Sequence, residues 1–466
     1  MPPKFGTSGL RGLVRDLTPE LVDSYVAAFL RACRTGTGLF VGRDLRDSSP
    51  AIALAVIRAA RHRGVAVTDC GAVPTPALAL ASMAADAAAV MVTGSHIPAD
   101  RNGLKFYTPA GEITKAEEAA ILLALEKPVA AVEREPADRP ERTMNPGSTF
   151  VDRYRTAFGS AALAGRRVAI WSHSAVGRDL LSGSLAALGA RTIEVGRSDQ
   201  FIPIDTEAIS PEAGAMLRRV AQEHGVDAIA STDGDGDRPL LADADGRIVP
   251  GDILGQLTAR MLDARLVVTP VSSNTGVEAC GFERVVRTRI GSPFVIDAMQ
   301  ALLREHPAAR VVGYEANGGF ILGFDARGPA GPLPALMTRD SHLPIIAPLV
   351  LAGGEKLAAL VASQPARFTA ADRLQGVTSD RSTALVAALS NDTKARSAFL
   401  ADLGSGCLSS IDRTDGLRMI LNSGRIVHLR PSGNAPELRF YTEAESPAAA
   451  KALLRSGIEM LRRRLE

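Results

Sequence analysis

The chain has 466 residues, 22% of them charged and 46% hydrophobic. At ~100–200 residues per domain, this length suggests three or four domains. Lys+Arg total 53 against 51 Asp+Glu, a net charge of +2 that excludes a global field for nucleic acid or an anionic membrane, and 4% aromatics argue against an array of base-stacking platforms.

In chain order, the first motif is Phe5-Gly-Thr-Ser-Gly-Leu-Arg-Gly12. Its small residues and single arginine suit a phosphate-facing loop or a plain flexible start. No Gly-Lys-Ser/Thr follows, so it is neither a P-loop nor a dinucleotide fingerprint. Residues 38–44 read as a strand and loop. Residues 50–63 carry Ile52, Val56 and Ile57 at helical spacing, and Gly64 supplies a stop. Residues 65–68 and 88–93 read as the next strands. Strands separated by helices imply parallel β-α-β units. Ser-Pro opens a helical pattern at Ser49, Ser210, Ser292 and Ser446, where serine predicts an N-cap and proline the first helical position.

The strand at 88–92 delivers Ser95 and His96 onto a loop kept irregular by Pro98 and Gly103. A serine there is a candidate nucleophile or phosphate carrier, and a plain turn serine fits the same loop. Only seven of the 53 basic residues are lysine. Lys105, ten residues after the serine, therefore suggests a need for an amine whose proton can move. The stretch 126–147, with Pro128, Pro136, Pro140 and Pro146, predicts a linker, and further composition shifts lie near 246–252 and 363–372.

Asp233-Gly-Asp-Gly-Asp-Arg238 follows an apolar strand at 228–230. Three ionised carboxylates this close repel one another. A hard divalent cation relieves that repulsion, and the glycines let the loop wrap around it. An EF-hand fails, because Arg238 and Ala244 stand where it needs glycine and glutamate. A solvated acidic turn is the bland alternative. Magnesium fits better than calcium, since three monodentate carboxylates leave room for a phosphate oxygen. Further on, Glu315 and Asn317 enter a Gly-Gly loop, where they can bind adjacent sugar hydroxyls or simply form a polar turn. Near the C-terminus, strands at 425–429 and 437–442 flank a turn. Arg430, Ser432, the amides around Gly433 and Asn434, and Arg439 are the parts of a phosphate clamp, although a β-hairpin explains the proline and glycine equally. A closing helix makes the C-terminal region α+β.

Cys33, Cys70, Cys280 and Cys407 form no C-x-x-C pair, which excludes a zinc ribbon and argues against a disulfide scaffold. Buried free thiols in a reducing compartment are expected. The N-terminal residues contain no apolar run for a signal peptide, and the longest uncharged stretch, 70–85, is short and carries two prolines, so it should not span a bilayer. A soluble, cytoplasmic protein with no membrane or nucleic-acid partner is expected.

Taken in this order, the motifs closely resemble those of the α-D-phosphohexomutase superfamily, its phosphomannomutase/phosphoglucomutase branch in particular, across essentially the whole chain. The resemblance implies four domains: three α/β domains with mixed sheets sandwiched by helices, at 1–147 (serine loop), 148–249 (metal loop) and 250–367 (sugar loop), and an α+β phosphate-binding domain at 368–466. It implies that Ser95 is the phosphoserine, and that Asp233, Asp235 and Asp237 hold Mg2+ together with a phosphoserine oxygen. Arg11, His96, Lys105 and Arg238 would serve the reacting centre, with Lys105 moving the proton of the attacking hydroxyl. Glu315 and Asn317 would hold sugar hydroxyls. Arg430, Ser432, Gly433, Asn434 and Arg439 would grip the phosphate not undergoing transfer.

The implied reaction is the reversible conversion of mannose 6-phosphate and mannose 1-phosphate through a hexose 1,6-bisphosphate, which also serves as activator, in a monomer or homodimer. Phosphoglucomutase or dual specificity is the alternative. Phosphoglucosamine mutase, a haloacid dehalogenase-type phosphatase using Asp233 or Asp235, and a non-catalytic sugar-phosphate-binding paralogue rank behind. There are departures from the family pattern: Gly94 and Ile97 around Ser95, Asn317 where serine is common, Gly319 where several members carry histidine, and Asn434 where threonine is usual. The segment Thr288-Arg-Ile-Gly-Ser292 resembles a family substrate loop without the lysine that follows it in some members.

Overall fold

The computed structural model describes residues 3–6, 9–126, 140–432 and 436–465. The chain divides into two compact units, Met1–Val267 with Gly291–Val361, and Val268–Ile290 with Ala362–Glu466.

The first unit begins with a mixed sheet. Leu39–Arg43 runs parallel to both Val67–Ala72 and Ala88–Val92, as expected of β-α-β units. The sheet then turns antiparallel, from Ala88–Val92 to Arg101–Thr108 and on to Leu10–Leu13. Helices Pro19–Ala32 and Ser49–His62 bury Val22, Phe29, Val56 and Ala60 against Val41, Val90 and Phe106 of this sheet. A second sheet pairs Arg167–His173 in parallel with Arg191–Arg197 and with Ala228–Thr232, then returns antiparallel through Pro239–Asp243. A third region is an antiparallel meander of Val311–Tyr314, Phe320–Leu322 and Leu336–Asp340.

The second unit contains a wholly antiparallel sheet in the order Phe368–Gln375, Glu437–Ala444, Ile426–Pro431, Leu417–Leu421 and Leu408–Asp412. The helix Pro447–Leu465 closes it, burying Leu453 and Leu461 with Phe440. The architecture is thus mixed α/β with an α+β C-terminal region. No described helix is long and apolar enough to cross a membrane.

Several local expectations need correction. Ser210 caps its helix, its hydroxyl accepting from the Ala213 amide at 3.2 Å, and Ser446 accepts from Ala449. Ser49 and Ser292 do not cap; they are the first residues of their helices, after Ser48 and Gly291. Both are fully buried beside a carboxylate, so their hydroxyls donate instead to Asp44 Oδ1 (2.5 Å) and Glu112 Oε1 (2.9 Å). The strand expected at 65–68 runs from Val67 to Ala72, because the Val65 amide still bonds to Ala60 of the preceding helix. The cysteines are free, but only Cys70 is buried and Cys407 is exposed. Of the expected linker, residues 127–139 lie outside the described residues, and Arg142–Thr143 adds an edge strand parallel to Val67–Ala72.

Candidate active site

The turn from Ala88–Val92 into Arg101–Thr108 carries Ser95. This residue has φ +53°, a left-handed conformation that costs a non-glycine residue energy and persists only where the surroundings enforce it. Arg46 enforces it. Its side chain is buried, and it donates through Nη2 to the carbonyls of Ser95 (2.9 Å) and Ile97 (2.6 Å) and through Nη1 to those of Pro98 (2.7 Å) and Arg101 (3.0 Å). Its Nε pairs with Asp44 at 3.2 Å, and its guanidinium lies 3.9 Å from the Phe201 ring centroid. Thr93 joins the two ends: its hydroxyl donates to Asp44 and accepts from the Ser95 amide. A Cβ on Gly94 would stand 2.7 Å from the Arg46 guanidinium carbon, so glycine is needed there.

The strand Ala228–Thr232 delivers the acidic loop opposite. Asp233, Asp235 and Asp237 are fully buried, with carboxylate oxygens within 4.8 Å of one another. The loop closes on itself. Asp233 Oδ1 accepts from the amides of Asp237 and Arg238, both at 3.2 Å, and Gly236 takes φ +74°. Ser95 Oγ donates to Asp233 Oδ2 at 2.6 Å and lies 3.3 Å from His96 Nδ1. Lys105, opposite Met91 in the strand register, donates to Asp235 Oδ2 (2.5 Å) and Asp237 Oδ2 (2.6 Å). Thr75 donates to Asp235 Oδ2 as well.

These contacts leave one oxygen each on Asp235 and Asp237, both named Oδ1, buried with no hydrogen-bond partner among the described residues. Hard oxygen donors in this number, spacing and burial fit a divalent cation. The electrostatics agree. Burial, together with Asp235 and Asp237, pushes the Asp233 carboxyl well above the usual range. Burial alone would raise Asp235 too, but Lys105, Thr75 and Arg339 outweigh it and hold that carboxyl down. Burial would lower Lys105, but Asp235 and Asp237 keep its amine charged. Burial, Arg238 and Arg11 keep His96 neutral. Burial, Arg238 and Arg339 push Arg11 down to about 10, which leaves it a cation at neutral pH.

The structure therefore gathers Ser95, His96, Lys105 and the three aspartates into direct contact, with Arg11 and Arg238 within electrostatic reach. Arg238 also pairs with Asp205 at 3.6 Å. Glu315 follows the strand Val311–Tyr314 and accepts from Arg339 Nη1 at 3.3 Å. Asn317 spends its side-chain carbonyl within its own loop, accepting from the Gly319 amide at 3.0 Å.

In the second unit, Arg430 pairs with Asp415 at 2.7 Å, and the same Asp415 oxygen accepts from the Ile290 amide. Ser432 is buried, and Arg439 pairs with Glu437 at 3.1 Å. Gly433 and Asn434 lie outside the described residues.

Sequence reasoning missed Arg46, Asp44, Thr75, Glu112 and Arg339. The available signals were thin: a polar cluster Arg43-Asp-Leu-Arg-Asp-Ser-Ser49 after one strand, and Arg339-Asp-Ser-His342 at the end of another.

Residues 2–130 match the model of phosphoglucomutase/phosphomannomutase alpha/beta/alpha domain I, residues 148–246 that of alpha/beta/alpha domain II, and residues 368–456 that of the C-terminal domain. A phosphomannomutase of Sinorhizobium fredii is 46% identical, covering 99% of each chain. One of Salmonella muenchen is 40% identical, covering 99% of this chain and 96% of the relative. Among solved structures, a phosphoglucomutase/phosphomannomutase family protein of Burkholderia thailandensis superposes with TM-score 0.76 at 21% identity, covering 99% of this chain and 98% of its own.

Proposed function

The chain belongs to the phosphoglucomutase/phosphomannomutase family, and from that premise we propose that it interconverts mannose 6-phosphate and mannose 1-phosphate through phosphorylated Ser95 and a hexose 1,6-bisphosphate. The observation that carries the proposal is the 2.6 Å contact of Ser95 Oγ with Asp233, at the edge of a buried triad with two oxygens unpartnered among the described residues. The names of the two curated relatives favour mannose over glucose.

Asp233, Asp235, Asp237 and an oxygen on Ser95 would hold Mg2+, which supplies a Lewis acid at the transferring phosphoryl group. In each transfer the bond from phosphorus to Ser95 Oγ breaks as a sugar hydroxyl oxygen bonds to phosphorus. The hydroxyl proton ends on the released serine. Lys105 is the shuttle: its ammonium gives a proton toward that oxygen and is refilled from the attacking hydroxyl. Arg11 and Arg238 add positive charge near the reacting centre. Glu315 and Asn317 hold sugar hydroxyls, and Arg430, Ser432, Gly433, Asn434 and Arg439 grip the other phosphate, which fixes the attacking end. The sugar then reverses and the second phosphoryl returns to Ser95. We retain four domains, at 1–147, 148–249, 250–367 and 368–466, as the organisation that serves this cycle. A hexose-phosphate substrate and four free cysteines support a cytoplasmic location.

A phosphatase with an aspartate nucleophile has less support, because it leaves the contact between Ser95 and Asp233 without a purpose. The test is a coupled mutase assay with Mg2+ and catalytic hexose 1,6-bisphosphate, run on mannose, glucose and glucosamine phosphates. Turnover highest on mannose, and abolished in Ser95→Ala, is expected. Phosphate trapped on an aspartate, or no turnover on any of the three sugars, overturns the proposal.

A further inference from the structure

One buried arginine lies between the metal loop and the sugar loop and belongs to neither. Arg339, on the strand Leu336–Asp340, is 2% exposed. Its Nη2 lies 2.8 Å from Asp237 Oδ2, its Nη1 3.3 Å from Glu315 Oε2, and its Nε 3.9 Å from Glu112 Oε2. Glu112 is held in turn by the Ser292 hydroxyl at 2.9 Å. Gly319 makes the room: a Cβ there would stand 2.9 Å from Arg339 Cδ.

The consequence for Asp237 is specific. Its Oδ2 is shared by Arg339 and Lys105, so its Oδ1 is the oxygen left to a cation. The other limb of the same planar fork fixes Glu315. A guanidinium is rigid, so its two limbs cannot adjust independently. When Glu315 is displaced or discharged, the fork turns toward Asp237 and competes with the cation for that carboxylate.

We propose that Arg339 is a positioning residue that couples the state of the sugar-loop carboxylate Glu315 to the cation affinity of the aspartate triad. The proposal rests on the phosphohexomutase reading for the roles of both carboxylates. By linkage, a sugar hydroxyl engaging Glu315 then changes cation affinity, and the cation changes sugar affinity by the same factor.

The test is Mn2+ binding to the full-length protein, read from the electron paramagnetic resonance signal of the free ion. The proteins are wild type, Glu315→Gln and Glu315→Asp, each with Arg339 or with Arg339→Lys. Glu315→Asp keeps the charge but falls one methylene short of Arg339. Both Glu315 variants are expected to weaken Mn2+ binding about fivefold or more, within the usual range for coupled sites, when Arg339 is present. With lysine at 339, which keeps the charge but loses the fork, neither is expected to change it more than about twofold.

A shift with glutamine but none with aspartate would mean plain through-space charge and overturns the coupling. So does no shift with either, or an equal shift with lysine at 339. Should the lysine variant not fold, the aspartate and glutamine variants decide alone. Wild-type turnover on mannose phosphates, measured in parallel, separates the two claims: turnover without the Mn2+ effect sinks only the coupling, and the Mn2+ effect without turnover sinks the mutase reading.

Discussion

The loop of Asp233 and the loop of Ser95 face each other across a single 2.6 Å hydrogen bond, and they are held in different ways. The acidic loop is short enough for its first side chain to reach its last amides, so Asp233 satisfies Asp237 and Arg238, and its carbonyls at Gly234, Asp235 and Gly236 accept from three separate neighbours, Val176, Thr75 and Ser341. The serine loop is longer and irregular. Its carbonyls point away from any strand partner, and buried carbonyls must be satisfied. Arg46, some fifty residues away in the chain, supplies four donors for them. The strained serine loop thus depends on one remote side chain, while the acidic loop is held by its own Asp233 and by several separate neighbours.

That contrast can be broken from either side. The largest effect is expected for Asp235→Asn, which keeps shape and hydrogen bonding but removes one charge from the triad. Turnover should fall about 10²–10³-fold, while the thermal midpoint stays within a few degrees, because Asp233 still closes the turn and Thr75, Val176 and Ser341 still hold its carbonyls. A large fall in midpoint would show that the charges hold the loop.

Next comes Arg46→Met, which leaves four carbonyls and the buried Asp44 without their cation. A loss of about 3–5 kcal/mol is expected, read as a shift in the urea transition reported by Trp171, the one tryptophan, which lies in the first unit. An unchanged transition would mean that the serine loop holds itself. The smallest effect is expected for Gly236→Ala. Its φ of +74° and a Cβ 2.8 Å from Pro74 cost about 1–3 kcal/mol, read the same way. A cost above that of Arg46→Met would reverse the comparison.

The same contrast explains what could be read from the sequence. Asp233, Asp235, Asp237 and their glycines form a contiguous pattern, so the carboxylate cluster that the fold buries was legible as a unit. Ser95 and Lys105 were visible because a strand and an unusual residue choice mark them. Arg46 and Arg339 were not, since nothing in an arginine-rich chain separates a buried fork from a solvated one before the fold brings its acceptors near. Ser49 and Ser292 show the complementary failure. Each sits in a good capping pattern, yet a buried carboxylate from elsewhere captured the hydroxyl. The β-α-β pattern was legible from periodicity, whereas the antiparallel pairing of Arg101–Thr108 with Leu10–Leu13 joins segments far apart in the chain.

Arg46 binds main-chain oxygens and no side chain of the loop it anchors. Every amino acid carries the same carbonyl, so Ile97, Pro98 and Arg101 are tethered without being specified. The guanidinium lying against residue 94 restricts that position, and Thr93 and Ser95 are fixed by their own side-chain bonds. The stretch from Ile97 to Arg101 is therefore a place where lineages can drift and libraries can be sampled, with the position of Ser95 inherited from a residue outside the varied segment.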